Sequence, residues 1–172
     1  KKCPKSRTTC EPLKTRTMDN PSKIIEGGVE YSLGKFGGKS VLYDFPKILI
    51  YLNAKGKLLF GKKFRIYDED KDILLKLCSY FIKDKENCNT YGIDIEKGIL
   101  LSGPVGCGKT SLMKLLRHLV PLQRPYEMIP CRNVTFSFNH LGFKTVEEYG
   151  NTKFYCFDEF LNNLICIKKI FC

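Results

Sequence analysis

The chain has 172 residues, 43% of them hydrophobic, which is enough for one domain of ordinary size and excludes a disordered chain. Twenty-nine Lys and Arg stand against eighteen Asp and Glu, a net charge of +11 that points toward polyanionic partners such as nucleotides or nucleic acid. Nine cysteines without a CxxC pair, beside only His118 and His140, give no zinc-ligand spacing and read as reduced thiols of a cytoplasmic protein; no run reaches the roughly eighteen apolar residues of a membrane span, and residues 1–4 open no signal peptide.

Residues 1–44 read as a basic, loosely ordered arm: residues 1–40 hold nine basic and four acidic side chains, three prolines and two glycine pairs, without helical or strand periodicity. Such an arm is either a solvated tail or a segment that touches nucleic acid. A helix is expected over 45–52, with Pro46 in its first turn and a break at Gly56, followed by a short strand or extended segment over 60–67. Asp68 offers an N-cap, and Ile73, Leu74, Leu77, Cys78, Phe81 and Ile82 recur with helical period, so an amphipathic helix should end near Lys85 and give way to a loop over 87–92. Residues 98–102 form an apolar run bounded by glycine, as in a buried parallel strand. A helix over 111–119, a strand over 126–131, a helix over 133–141 ending at Gly142, a further turn over 145–149 and a strand over 154–157 complete the pattern. Beyond them, Asn162-Asn163 is turn chemistry and Ile165, Ile167 and Ile170 favour extended chain, so 164–172 is either an antiparallel hairpin partner of the 154–157 strand or a short frayed helix or coil.

Between the 98–102 strand and the 111–119 helix lies Gly103-Pro104-Val105-Gly106-Cys107-Gly108-Lys109-Thr110, which fits G-x-x-x-x-G-K-[ST] in the strand–loop–helix context that this motif requires. A chance match in a chain of this size is on the order of 1%. Small residues let backbone N–H groups turn inward around a polyphosphate, and the helix N-terminus adds partial positive charge. Lys109 is placed to neutralise β- and γ-phosphates, Thr110 to ligate Mg²⁺ through its hydroxyl, and Ser111 to reach the α-phosphate. Cys107 fills an unspecified loop position and reads as a small spacer. His118 and His140 read as a surface and a helix-end residue.

The 154–157 strand runs into Asp158-Glu159, so both carboxylates emerge at a strand's C-terminal end, where open α/β sheets bind ligands. Asp158 suits the Mg²⁺ shell and Glu159 the polarisation of an attacking water.

Residues 98–119 with 154–159 resemble the Walker A and Walker B elements of AAA+ ATPases, and are most similar to the bacterial helicase-loader and transposon-helper branch, over a stretch spanning 45–159. The resemblance implies an α/β P-loop NTPase three-layer sandwich with a parallel sheet. It further implies ATP and Mg²⁺ as ligands, hydrolysis coupled to movement, a homo-oligomer with sites at subunit interfaces, and action on DNA or a DNA-bound partner. By position, Lys109 and Thr110 bind phosphate and Mg²⁺, Asp158 supports Mg²⁺ and Glu159 activates water. The family places a sensor strand between the Walker A and Walker B strands and an arginine finger further on, whereas the thirteen residues after Glu159 hold two lysines and no arginine. The reading is therefore a core over 45–159, incomplete at the C-terminus, with an atypical tail over 160–172 and a gap in its sheet.

No N-K-x-D motif of a GTPase and no LSGGQ-like transporter signature occurs. Two alternatives to an ATPase stay open: a nucleotide-binding module without turnover, and a P-loop small-molecule kinase.

Overall fold

The computed structural model describes residues 13–15, 21–38, 40–119, 126–150, 154–160 and 164–169; for 13–15, 159–160 and 164–169 the backbone alone is described. Five short strands come first: β1 (Leu13–Thr15), β2 (Lys23–Glu26), β3 (Val29–Ser32), β4 (Gly34–Phe36) and β5 (Val41–Tyr43). They form an antiparallel sheet in the order β1-β5-β4 and a separate β2-β3 hairpin. The expected loose arm is thus corrected for residues 21–38 and 40–43. Leu33, Val41 and Tyr43 are buried, the Tyr43 hydroxyl donates to the Pro21 carbonyl at 3.1 Å, and the Tyr31 ring packs on Tyr51 at 5.6 Å. Lys55, with a side chain only 12% exposed, pairs with Glu26 at 2.8 Å. The glycine pairs turn chain direction between strands here, and runs of three or four residues are too short to show alternation.

Helix α1 (Phe45–Phe60) carries Pro46 in its first turn, where a missing N–H costs nothing, and buries Phe45, Ile48, Tyr51 and Leu52. It does not break at Gly56. The ring of Phe64 lies against the Gly56 backbone so closely that a Cβ there would collide with it, so this glycine serves helix packing, not helix termination. Residues 61–67 join no strand; Phe64 and Ile66 pack inward against the core.

A single 3-10 turn at Asp68–Asp70 leads into α2 (Lys71–Ile82), which buries Leu74, Leu77, Cys78 and Phe81. The helix stops at Lys83, whose left-handed φ of 61° ends it short of Lys85. The buried Asp84 carboxylate accepts the Asn87 N–H at 3.1 Å and caps α3 (Lys85–Thr90), so most of the loop expected over 87–92 is helix. Weak propensity in Asn87-Cys88-Asn89-Thr90 is overridden by that cap and by burial of Cys88.

The remaining elements are β6 (Ile99–Leu101), α4 (Lys109–Leu116), β7 (Tyr126–Pro130), α5 (Cys131–Leu141), α6 (Phe143–Tyr149), β8 (Phe154–Phe160) and β9 (Leu164–Lys169). Their strands form one sheet in the order β6-β9-β8-β7. β7 and β8 are parallel, whereas β9 is antiparallel to both β8 and β6, so β6, β7 and β8 share one direction. The sheet is mixed: β7 and β8 pair in parallel, as the parallel-sheet expectation has it, and the antiparallel pairs are those of β9. β6 pairs with an antiparallel neighbour and leaves Leu100 58% exposed, so it is not a strand buried on both faces. Of the outcomes expected for the tail the hairpin is realised, and it fills the expected gap: β9 occupies the place between the strand before the loop and the strand bearing Asp158, running in reverse.

Phe81 of α2 stacks on Tyr126 of β7 at 5.5 Å, and the Tyr126 hydroxyl donates to the Met113 carbonyl of α4. α4 also packs on α1, so the helix that follows the loop is fixed from two sides by buried contacts. No helix among the described residues is long and apolar enough to cross a membrane.

Two outcomes follow from this packing. Gly56→Ala improves helix propensity by up to about 1 kcal/mol but overpacks the Phe64 ring, which typically costs about 1–3 kcal/mol; chemical denaturation should show a net loss of stability, and a gain would mean that the ring yields freely. Burial, then the nearby Lys55 and Arg117, hold the His118 imidazole below its ordinary value, with Glu26 acting in the opposite sense. The unfolded chain therefore takes up this proton at higher pH than the folded one, and stability should fall as pH drops through the ordinary histidine range near about 6.5. Melts at about pH 7.5 and about pH 5.5, on either side of that range, should show a smaller drop for His118→Gln than for the unsubstituted chain.

Candidate functional site

The loop after β6 enters α4 through two residues that need left-handed backbone, Gly106 (φ 80°) and Gly108 (φ 86°), the latter at the N-cap of α4. A side chain at either would be strained, and at Gly103 a Cβ would press on the Cys107 sulfur at 3.0 Å. Chain geometry thus accounts for the three glycines of the motif. Lys109, the first residue of α4, folds back over the loop: its ammonium donates to the Gly103 carbonyl at 2.8 Å and the Pro104 carbonyl at 2.6 Å, and lies 3.5 Å from the Cys107 sulfur. The cation is thereby held at the loop it would serve.

Next along α4, the Thr110 hydroxyl donates to Asp158 Oδ1 at 3.0 Å. This contact joins the helix after β6 to β8, which continues through Asp158 and Glu159 to Phe160 instead of stopping at 157 as the sequence suggests. It is possible because β7 and β8 run in register, Pro130 opposite Asp158, and share direction with β6, so loop and carboxylate emerge at the same end of the sheet. On the other side of β8 the register against β9 shifts between Phe157 and Phe160, the interval that holds Asp158 and Glu159. Such irregularities re-aim the strand locally and interrupt regular pairing.

A cavity of about 300 Å³ lies between these parts, at the small end of ligand pockets, lined by Val105, Gly106 and Gly108 of the loop, by Lys109, Thr110 and Ser111 of α4, and by Asp158 of β8. Gly103, Pro104 and Cys107 do not line it; their carbonyls and sulfur meet the ammonium of Lys109, which does. The backbone of Glu159 continues β8; its side chain lies outside the described residues. His118, half-buried beyond α4, and His140, exposed near the end of α5, do not line the cavity. The Lys109 bonds to its own loop carbonyls and the pairing of β9 with β6 escape sequence reasoning, because neither a rotamer nor a distant strand partner leaves a mark in residue type, whereas the antiparallel course of β9 along β8 is one of the outcomes the tail's residues allow.

The cavity presents backbone N–H groups, a helix N-terminus, one ammonium, two hydroxyls and one carboxylate. That is a complement for phosphate beside a hard cation: Mg²⁺ takes few protein oxygens and leaves other positions to phosphate and water, and Thr110 and Asp158 supply such a pair. Among the described residues no group of three or more His, Cys, Asp or Glu side chains is placed to hold a metal ion by itself.

No family model matches the chain, and no solved structure matches it. Among curated proteins it is similar to the ATP-dependent zinc metalloprotease FtsH of Halothermothrix orenii, 33% identical over 78 residues, which is 45% of this chain and 12% of that protein. It is also similar to the ATP-dependent zinc metalloprotease FtsH 4 of Sorangium cellulosum, 34% identical over 80 residues, 46% of this chain and 12% of that protein. The chain thus spans about an eighth of the length of these relatives, and the likeness is to proteins that are ATP-dependent by name.

Cys107 is exposed in the loop, whereas Cys78, Cys88 and Cys156 are buried and Cys131 is half-buried. Limited alkylation of the native protein followed by peptide mass mapping should therefore mark Cys107 ahead of those four. Labelling of Cys78 or Cys156 at the same rate would contradict the packing of α2 and β8.

Proposed function

We propose that this chain is an ATP-binding P-loop module of AAA+ type that holds Mg²⁺-ATP between residues 103–111 and Asp158, and that it hydrolyses ATP. The observation that carries the reading is the Thr110–Asp158 hydrogen bond, which brings the motif's hydroxyl and a carboxylate of β8 48 residues away to one point beside the loop. Similarity to two ATP-dependent proteins supports it at the level of class.

In this reading the N–H groups of the loop and of the first turn of α4 bind the phosphate oxygens, Gly106 and Gly108 giving them room. Lys109 exchanges its carbonyl partners for phosphate oxygens and neutralises charge there. Bound Mg²⁺ supplies Lewis-acid stabilisation of phosphate charge. Thr110 and Asp158 hold it, each already oriented by the other. Glu159 polarises the attacking water, a role assigned from its place after Asp158 in sequence.

The finer statements rest on the sequence resemblance: a P-loop three-layer sandwich, membership of the helicase-loader branch, a homo-oligomer, and action on DNA or a DNA-bound protein. A second reading, nucleotide binding without turnover, is favoured by one observation. The place between β6 and β8, where the resembled family keeps a parallel sensor strand, is filled by the reversed strand β9.

Titration calorimetry with Mg²⁺-ATP tests binding: Lys109→Ala should lose about 2–5 kcal/mol of affinity, as expected when one partner of a desolvated charge pair is removed. Asp158→Asn should weaken binding chiefly in the presence of Mg²⁺, while Glu159→Gln should bind normally and release no phosphate. Unchanged binding by the Lys109 variant would sink the site. Normal ATP binding with no phosphate release by the unsubstituted chain would select the second reading.

A further inference from the structure

Between Asp44 and Asp68 the sequence holds Lys47, Lys55, Lys57, Lys62, Lys63 and Arg65, and no carboxylate. Two of these cations are compensated, Lys47 by Asp44 at 3.7 Å and Lys55 by Glu26 at 2.8 Å. The other four are exposed, and among the described residues none of them meets a carboxylate. They share the end of α1 and the segment 61–67 with aromatic side chains that face solvent, Tyr67 at 52% exposure and Phe60 at 38%. The Arg65 guanidinium lies over the Tyr67 ring at 4.5 Å, and the Phe60 and Phe64 rings are 5.3 Å apart.

This corner is ordered by its inward residues. Phe64 sits in the notch that Gly56 leaves in α1, Ile66 packs on the core, and the Tyr67 N–H donates to Asp70 Oδ2 at 3.3 Å. Arg65 and Tyr67 are thereby held outward on a segment that cannot simply retract its charge. Four uncompensated cations on a fixed surface repel one another, and a polyanion relieves that repulsion.

We propose that the C-terminal end of α1 with residues 61–67 is a docking surface for single-stranded nucleic acid, with Lys57, Lys62, Lys63 and Arg65 on phosphates and Tyr67 and Phe60 under bases. Charge complementarity calls for a polyanion. The rings call for one with exposed π-faces, since stacking is available from an unpaired strand and not from the groove of a duplex. The cations are interleaved with the rings along the chain, not ranged on the face opposite an apolar stripe as in a helix that lies in a lipid interface. Asp68, Glu69 and Asp70 bound the patch on one side; Asp68 is paired with Lys71 at 2.5 Å, and the acidic edge directs the strand toward the α1 side of the corner. The assignment gives a surface to the polyanionic partner that the net charge calls for, without depending on the nucleotide cavity.

Fluorescence anisotropy of a labelled single-stranded DNA of about 20 nucleotides, long enough to cover one such site, titrated with the full chain at several NaCl concentrations and without ATP, tests it. A Lys63→Ala, Arg65→Ala double variant should bind at least about tenfold more weakly at low salt, with the slope of log affinity against log salt shallower by about 1.4, which is about 0.7 for each phosphate left unneutralised. Tyr67→Ala should lose about 5- to 150-fold in affinity with its slope unchanged, the signature of stacking without charge. Lys71→Ala, which removes a cation already paired with Asp68, should stay within about twofold. Unaltered binding by both test variants overturns the assignment. So does a Tyr67→Ala variant that is silent while duplex of the same length binds equally well, and so does binding to phosphatidylserine vesicles without binding to the oligonucleotide. The substituted side chains are exposed, so thermal melts should be unchanged, and ATP titration of the same variants reports on the cavity separately.

Discussion

β6 and β8 do not pair with each other, yet the cavity depends on their running in one direction on either side of β9. β9 bonds to both and holds them two strand spacings apart, about 9.5 Å. From those two anchors the loop and the Asp158 carboxylate reach the same end of the sheet, and the short Thr110 side chain closes the remaining distance. A strand in that place need only supply backbone donors and acceptors at the right spacing; an antiparallel strand does so as well as a parallel one. The direction of β9 is thus immaterial to the spacing.

The second support is lateral. α4 carries Lys109, Thr110 and Ser111, and its opposite side buries Met113, Leu115 and Leu116. Because Tyr126 bonds the Met113 carbonyl and stacks on Phe81, the pose of the cavity-facing turn is tied to α2 and β7. The N-terminal strands extend the same logic: Glu26 grips Lys55 on α1, and α1 packs on α4. A charge pair that is mostly shielded from water holds its geometry more firmly than one on the open surface.

The loop residues are legible in sequence because their chemistry fixes residue type at each place: glycine where φ is positive, a cation and a hydroxyl where phosphate and Mg²⁺ would lie. Asp158 is legible only as the end of an apolar run, and its closeness to Thr110 comes from the sheet. The strands over 21–43 escape a reading of the residues because their inward side chains, Leu33, Val41 and Tyr43, are too few to show a period, and the glycine pairs that turn them look like linker. Gly56 misleads for the opposite reason, since residue type suggests a break and only the distant Phe64 ring explains its presence. The cations over 57–65 are plain in the sequence, but they straddle a helix end and an irregular segment, so neither periodicity gathers them into one surface.

The placement of β9 also bears on how the chain folds. Among the described residues β6 joins its sheet through β9 alone, and the pairs are far apart in sequence, Leu101 with Ile165 and Ile99 with Ile167. β7 and β8 can pair earlier, across a much shorter connection. The three residues of β6 have little local structure to hold them until that distant strand arrives, and closing so long a loop is an entropic cost met before any ladder bond forms. The loop that follows β6 therefore gains that anchor only when β9 pairs, whereas its other anchor, α4, is built from local hydrogen bonds.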